Sequence, residues 1–151
     1  MNRLDQQMSN SQRLLNLLRQ AGYRITPQRR AICDYLARTE QHPTAYRVYE
    51  ALSADHPDLS RATVYNTLNV LHELGALVQL DLGDEHTHYE TNLAPHVNLI
   101  CRRCRAVFDF TPLEPPTAFL DSLHATSGFQ PTTVHVQVMG LCPDCQAKER
   151  I

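Results

Sequence analysis

Residues 60-SRATVYNTLNVLHELGALVQLDLGDEHTHYET-91 change their period half-way along. Val64, Leu68, Leu71 and Leu74 recur three and four residues apart, which predicts a helix over 60–74 with one apolar stripe. Ser60 offers an N-cap oxygen, and Gly75 suits the left-handed position that closes a helix. From Ala76 the pattern alternates. Residues 76–82 and 86–91 predict two strands, and the GDE between them is a turn signal, so a β-hairpin follows the helix directly. A helix feeding into a hairpin is the end of a winged helix-turn-helix. There the last helix enters the DNA major groove and the hairpin lies along the backbone.

Upstream, the sequence predicts the helices that such a domain needs. Leu14, Leu15, Leu17 and Leu18 mark one over 10–21, with Gly22 as its stop. A second spans 26–39, with Thr26 as N-cap and Pro27 at the first turn, where a missing N–H costs nothing. A third runs from about Thr44 to Ala54, with Val48, Ala51 and Leu52 inward.

Downstream, strands are expected near 97–101, 105–110 and 132–139, with one helix near 116–127 between Pro115–Pro116 and Gly128. The fold class is therefore α+β. A winged helix-turn-helix DNA-binding domain covers 1–91, a short polar hinge 92–95, and a C-terminal α/β domain 96–151. The extreme termini are expected to fray.

Composition narrows the setting. Of the 151 residues, 42% are hydrophobic, enough for a real core. No apolar run approaches the ~18 residues of a membrane helix, and MNRLDQQMSN lacks the apolar centre of a secretory signal. The expectation is a soluble, cytoplasmic protein. The net charge of −2 is uneven: residues 1–80 sum to +2 and residues 81–151 to −4. That split permits a DNA-facing first half and a cation-binding second half.

Five cysteines in a cytosolic chain favour metal over disulfides. Cys101-x-x-Cys104 and Cys142-x-x-Cys145 are separated by 37 residues, and each follows a strand-like segment. Two such pairs can close a tetrahedral four-thiolate zinc site with no open position, hence structural. A redox dithiol is disfavoured because neither pair has a thioredoxin-like context. Cys33, between Ile32 and Tyr35, is expected as a core thiol. In the helix over 60–74, Arg61, Thr63, Tyr65 and Asn66 can reach bases or phosphates.

Together, RITPQRRAI, HPTA, RATVYNTL and the two CxxC pairs resemble the ferric uptake regulator (Fur) superfamily, from about residue 10 to residue 147. The resemblance implies a homodimeric, metal-dependent repressor that binds double-stranded operator DNA. It implies dimerisation through the C-terminal domain and one structural Zn²⁺ per chain on Cys101, Cys104, Cys142 and Cys145. It also implies one regulatory metal per chain between the domains, and no enzymatic activity, membrane or small organic ligand. Tyr65 becomes the foremost base contact, and Arg24 is expected to reach a minor groove.

By the same resemblance the regulatory ligands are His42, Glu90, His96 and Asp109, with Asn98 where the family usually has a further histidine. Mixed oxygen and imidazole donors suit Fe²⁺ or Mn²⁺. Glu90, where zinc-responsive members often carry cysteine, argues against zinc sensing. Asp109 resembles the peroxide-responsive PerR-like branch, the branch favoured here, whereas Glu90 does not. Iron-, manganese- or zinc-responsive uptake regulation stays open as the alternative. An accessory metal site is not expected, because its positions hold Pro95, Val97 and Pro116, with Val134 beside His135. His56, His72, His124 and His135 are expected to be ordinary surface or strand residues. His86 and His88, two apart on the wing, share a face open to solvent, phosphate or metal.

Two other classes compete. A metal-dependent hydrolase would use the same ligand types, but the chain has no HExxH and no nucleophile motif. A zinc-stabilised protein-interaction module would keep the winged helix without binding DNA.

Overall fold

The structure, a computed structural model, describes residues 3–39, 42–94, 96–111, 117–131 and 134–148; of residues 3–9 and 117–118 it describes the backbone alone. The chain divides into two compact units, Met1–Leu93 and Ala94–Ile151.

The first unit contains α1 (Arg3–Gln20), α2 (Pro27–Arg38), α3 (Ala45–Ser53), α4 (Arg61–Glu73), β1 (Val78–Asp81) and β2 (Thr87–Glu90). Helix α1 begins a turn or more earlier than its leucine pattern predicts, because RLDQQMS consists largely of good helix formers. Three helices start on hydroxyl caps: Thr26 Oγ1 accepts from Arg29 N, Thr44 Oγ1 from Arg47 N, and Ser60 Oγ from Thr63 N. Each cap satisfies an N–H that the first helical turn leaves without a partner. Gly75 ends α4 at φ +69°, a left-handed conformation in which a side chain would be strained. Leu14, Leu18, Ile32, Val48, Val64 and Leu68 pack together as a closed core.

The hairpin β1–β2 is antiparallel, with Val78 opposite Glu90 and Asp81 opposite Thr87. It has a short third edge. Tyr89 N donates to Pro43 O at 3.0 Å, and Thr44 bridges His88 in antiparallel register. The segment that enters α3 is thereby held against β2.

The second unit contains β3 (Val97–Cys101), β4 (Val107–Phe110), α5 (Thr117–Ser127), β5 (Val136–Gly140) and α6 (Pro143–Ala147). The sheet order is β4-β3-β5, with β3 antiparallel to β4 and parallel to β5. Strand β4 starts two residues later than the alternation predicts, because Arg102–Arg105 form a tight turn instead. The expected strand near 132–139 is seen as Val136–Gly140; residues 132 and 133, Pro115 and Pro116 lie outside the described residues. The short helix α6 carries the second cysteine pair and is absent from the pattern reading above. Among the described residues, no helix is long and apolar enough to cross a membrane.

The two faces of α4 make a test of this packing. Replacing the fully buried Leu68 with alanine is expected to destabilise the first unit by about 2–5 kcal/mol. Replacing Tyr65, which is 50% exposed on the same helix, should cost no more than about 0.5 kcal/mol. Urea unfolding of the two variants reads the difference, and equal losses would mean that the inward face is assigned wrongly.

Candidate metal centre

The four cysteines of the CxxC pairs meet at one end of the second unit's sheet. Two local devices bring them there. Cys101 N donates to Ala106 O and Arg105 N to Cys101 O, both at 2.9 Å, which folds 101–106 into a tight knuckle. Arg105 sits at φ +62° to close it, a conformation that costs a non-glycine residue some strain. Arg102 N then donates to Gly140 O at 2.8 Å, which sets the end of β3 beside the end of β5, just before Cys142.

The four sulfurs lie within 4.8 Å of one another, and Cys104 Sγ is 3.7 Å from Cys142 Sγ. A tetrahedron with Zn–S bonds of about 2.3 Å has S–S edges of roughly 3.8 Å, so the thiols fit a zinc ion. Cys101, Cys142 and Cys145 are buried, and Cys104 is exposed. Backbone N–H groups at Cys104 and Cys142 pull the Cys101 thiol down to about 6. Burial, then the neighbouring thiols, push Cys145 up to about 12. A thiol drawn toward ionising at Cys101, beside one that resists it at Cys145, is the field of a site that a cation completes. Arg103 Nη1 donates to Cys145 O at 3.0 Å and braces the knuckle against α6.

A separate pair lies in the first unit. His42 Nε2 is 2.5 Å from Glu90 Oε2, and both side chains are almost fully buried. The second oxygen of Glu90 accepts from Asn92 N at 2.5 Å. The backbone pairing of Pro43 and Thr44 with β2 explains the meeting, since it places His42 level with the end of that strand. His88 does not share with His86 the open face expected from their alternation. Its Nδ1 donates to His42 O at 2.9 Å, and its Nε2 lies 2.8 Å from Asp84 Oδ2. That hydrogen bond is the main reason the Asp84 carboxyl is held below its usual range. His86 stays exposed. His88 thus braces the loop that carries His42, a role that alternation alone gave no means of finding.

In the second unit, His96 stands just before β3, Asn98 lies within it, and Asp109 on β4 is the cross-strand partner of Asn98. His96 Nδ1 donates to Ala94 O at 2.8 Å. Val97 and Val134, two of the positions considered for an accessory site, carry no ligand atom, while Pro95 and Pro116 lie outside the described residues.

Residues 20–139 match the sequence model of the Ferric uptake regulator family. The chain belongs to the ferric uptake regulator family. It is 41% identical over 133 residues to the "Peroxide-responsive repressor PerR" of Staphylococcus aureus, covering 87% of this chain and 88% of that protein. It is also similar to the solved PerR of Streptococcus pyogenes, described in terms of "peroxide sensing and gene regulation". That match has 34% identity and a TM-score of 0.52, covering 91% of this chain and 93% of that one. The Helicobacter pylori ferric uptake regulator shares the fold, with a TM-score of 0.77 at 20% identity, covering 97% of both chains.

In this member of the ferric uptake regulator family, the side chains expected at DNA are differently placed. Tyr65 and Asn66 are exposed on α4, while the Thr63 hydroxyl is 2.9 Å from Ser60 Oγ and belongs to the cap. Arg61 is held over two rings of α3, 5.7 Å from the centre of Tyr46 and 5.3 Å from that of Tyr49. Arg24 is exposed, and its carbonyl accepts from Arg29 Nη1. Cys33 is wholly buried, and burial pushes its thiol up to about 12, so it is a core residue.

The zinc reading gives a measurable expectation. Purified protein should carry one zinc per chain that survives mild chelation. Cys142→Ser should lose it, together with most of the roughly 10–16 kcal/mol that such sites couple to folding. Elemental analysis and the near-ultraviolet melting profile report both, and a Cys142→Ser protein with wild-type zinc content would contradict the four-thiolate assignment.

Proposed function

We propose that this protein is a homodimeric, cytoplasmic transcriptional repressor of the PerR type, which binds operator DNA when a regulatory Fe²⁺ or Mn²⁺ is in place and responds to peroxide. The observation that carries the reading is the buried His42–Glu90 pair. An imidazole and a carboxylate whose side chains are almost fully buried, with convergent donor atoms, are costly unless they have a job. The similarity to PerR of S. aureus supports the same reading. A regulator of this family is not an enzyme, and the hydrolase alternative has no support in it.

In this proposal Cys101, Cys104, Cys142 and Cys145 hold the structural zinc. His42 and Glu90 from the first unit, with His96 and Asp109 from the second, hold the regulatory ion. The donors are two imidazoles and two carboxylates, a set suited to Fe²⁺ or Mn²⁺. Residues 1–91 bind DNA, 92–95 act as the hinge, and 96–151 dimerise. His42 and Glu90 gain binding energy only when the hinge lets His96 and Asp109 reach the same ion. Metal therefore shifts the population toward one spacing of the two recognition helices, and that spacing selects paired half-sites.

Two features support the partners. The second unit exposes Phe108, Phe110, Phe119, Phe129, Val138 and Met139, large apolar side chains that a second copy of the chain would cover. On α4, Tyr65 and Asn66 are free of the core and reach bases, Arg61 and Thr63 flank them near phosphates, and Arg24 reaches a minor groove.

Bound Fe²⁺ supplies electron-transfer chemistry toward peroxide that Mn²⁺ does not. The imidazoles of His42 and His96 are the side chains presented to that chemistry. After anaerobic loading with Fe²⁺ and a pulse of peroxide, peptide mass spectrometry is expected to find one added oxygen atom on His42 or His96, and none after Mn²⁺ loading. An unmodified protein in the Fe²⁺ arm would move the reading to metal-uptake regulation. The DNA assignment has its own check: Arg24→Ala should weaken operator binding and reduce the salt slope by about one. An unaltered slope in anisotropy titrations would remove Arg24 from the interface.

A further inference from the structure

Asn98 is 4% exposed, and among the described residues its Oδ1 is the buried side-chain oxygen or nitrogen with no hydrogen-bond partner. Such an atom is expensive: a buried carbonyl without a donor forfeits its hydration for nothing, and leucine of similar size would avoid the loss. The surroundings show why this one is worth explaining. Asn98 stands in the centre of a three-stranded sheet, level with Asp109 on β4 and with Gln137 on β5. It follows His96, the residue that leads into β3, by two positions. The oxygen thus belongs to a side chain paired across strands with a carboxylate, Asp109, and close in sequence to an imidazole, His96.

We propose that the Asn98 amide oxygen is a direct, neutral ligand of the regulatory ion and biases the site toward Mn²⁺ over Fe²⁺. This rests on the regulatory site of the preceding section and adds to it a determinant of metal choice. Imidazole favours the later, more polarising first-row ions, whereas carbonyl and carboxylate oxygens suit Mn²⁺. A third imidazole at this position would give three nitrogens and two carboxylates. Asn98 gives two nitrogens and three oxygens. Because an amide is uncharged, it also leaves the ion less neutralised than a carboxylate would. The site is therefore tuned to a hard ion that binds modestly and exchanges.

The test uses full-length, zinc-retaining protein and reads metal binding rather than repression. Mn²⁺ affinity is measured by electron paramagnetic resonance titration, and Fe²⁺ by anaerobic competition against Mn²⁺. Asn98→Leu is expected to weaken Mn²⁺ by about tenfold or more while the metal-free protein melts no lower than wild type. Asn98→His is expected to raise the preference for Fe²⁺ over Mn²⁺ by about tenfold. Asn98→Asp, which keeps an oxygen and adds charge, should tighten Mn²⁺, and it decides the matter should the leucine variant fail to fold. His42→Ala is run beside them. If His42→Ala abolishes Mn²⁺ binding while Asn98→Leu and Asn98→Asp leave it unchanged, Asn98 is not a ligand and only this inference falls. If His42→Ala also leaves Mn²⁺ binding unchanged, the regulatory site itself is wrong and this inference falls with it.

Discussion

Four cysteine sulfurs gathered within 4.8 Å cannot all ionise unless a cation lies among them. The second unit depends on that constraint. Among its described residues the buried apolar set is small, chiefly Ile100 with Cys101, Cys142 and Cys145, while several phenylalanines stay in contact with water. A module this short, with so little core, falls below what hydrophobic burial alone holds together. Zinc binding supplies the missing stability at one end of the sheet, where the β3–β4 knuckle meets α6. The exposed apolar face accounts for the remainder if a second copy covers it. Folding, metal content and assembly are then one problem for this half of the chain.

The first unit solves a different problem with ordinary means. Its helices are capped, its core is closed, and no metal is needed for it to pack. Its unusual feature lies at the edge of the wing, where Pro43 and Thr44 pair with β2 and His88 braces the His42 carbonyl. A DNA-binding domain does not require a buried histidine and glutamate in contact there. Their presence makes sense if the wing is also where a signal enters. The same two strands then serve two masters, the DNA backbone on one side and the ligand pair at the base.

Much of this was legible in the residues, for identifiable reasons. Helix α4 was readable because Ser60, the leucine stripe and Gly75 act within one short window. The thiol cluster was readable because CxxC spacing already fixes half of its geometry. Three features were not. The Pro43–Thr44 edge is only two residues long, too short for any period, and it depends on a backbone bond to a strand more than forty residues away. The partial burial of His88 against the His42 carbonyl depends on that same edge, so alternation along the wing left it on an open face with His86. Helix α6 is five residues long and lies under a cysteine pair whose reading as a ligand turn concealed it. Asn98 was visible as a departure from the histidine that the family resemblance led one to expect. That its oxygen is buried without a partner required coordinates.

In the proposed mechanism one ion, held by side chains from both units, controls DNA affinity without any change in the structural zinc. The most direct measurement is operator-DNA affinity of protein that retains its four-thiolate zinc, titrated with Mn²⁺ and then stripped of that ion alone, with His42→Ala alongside. The account predicts that Mn²⁺ tightens binding by about 5- to 150-fold, the usual range of such coupling, and that His42→Ala stays at the stripped value. Equal affinity with and without Mn²⁺, at constant zinc content, would contradict it.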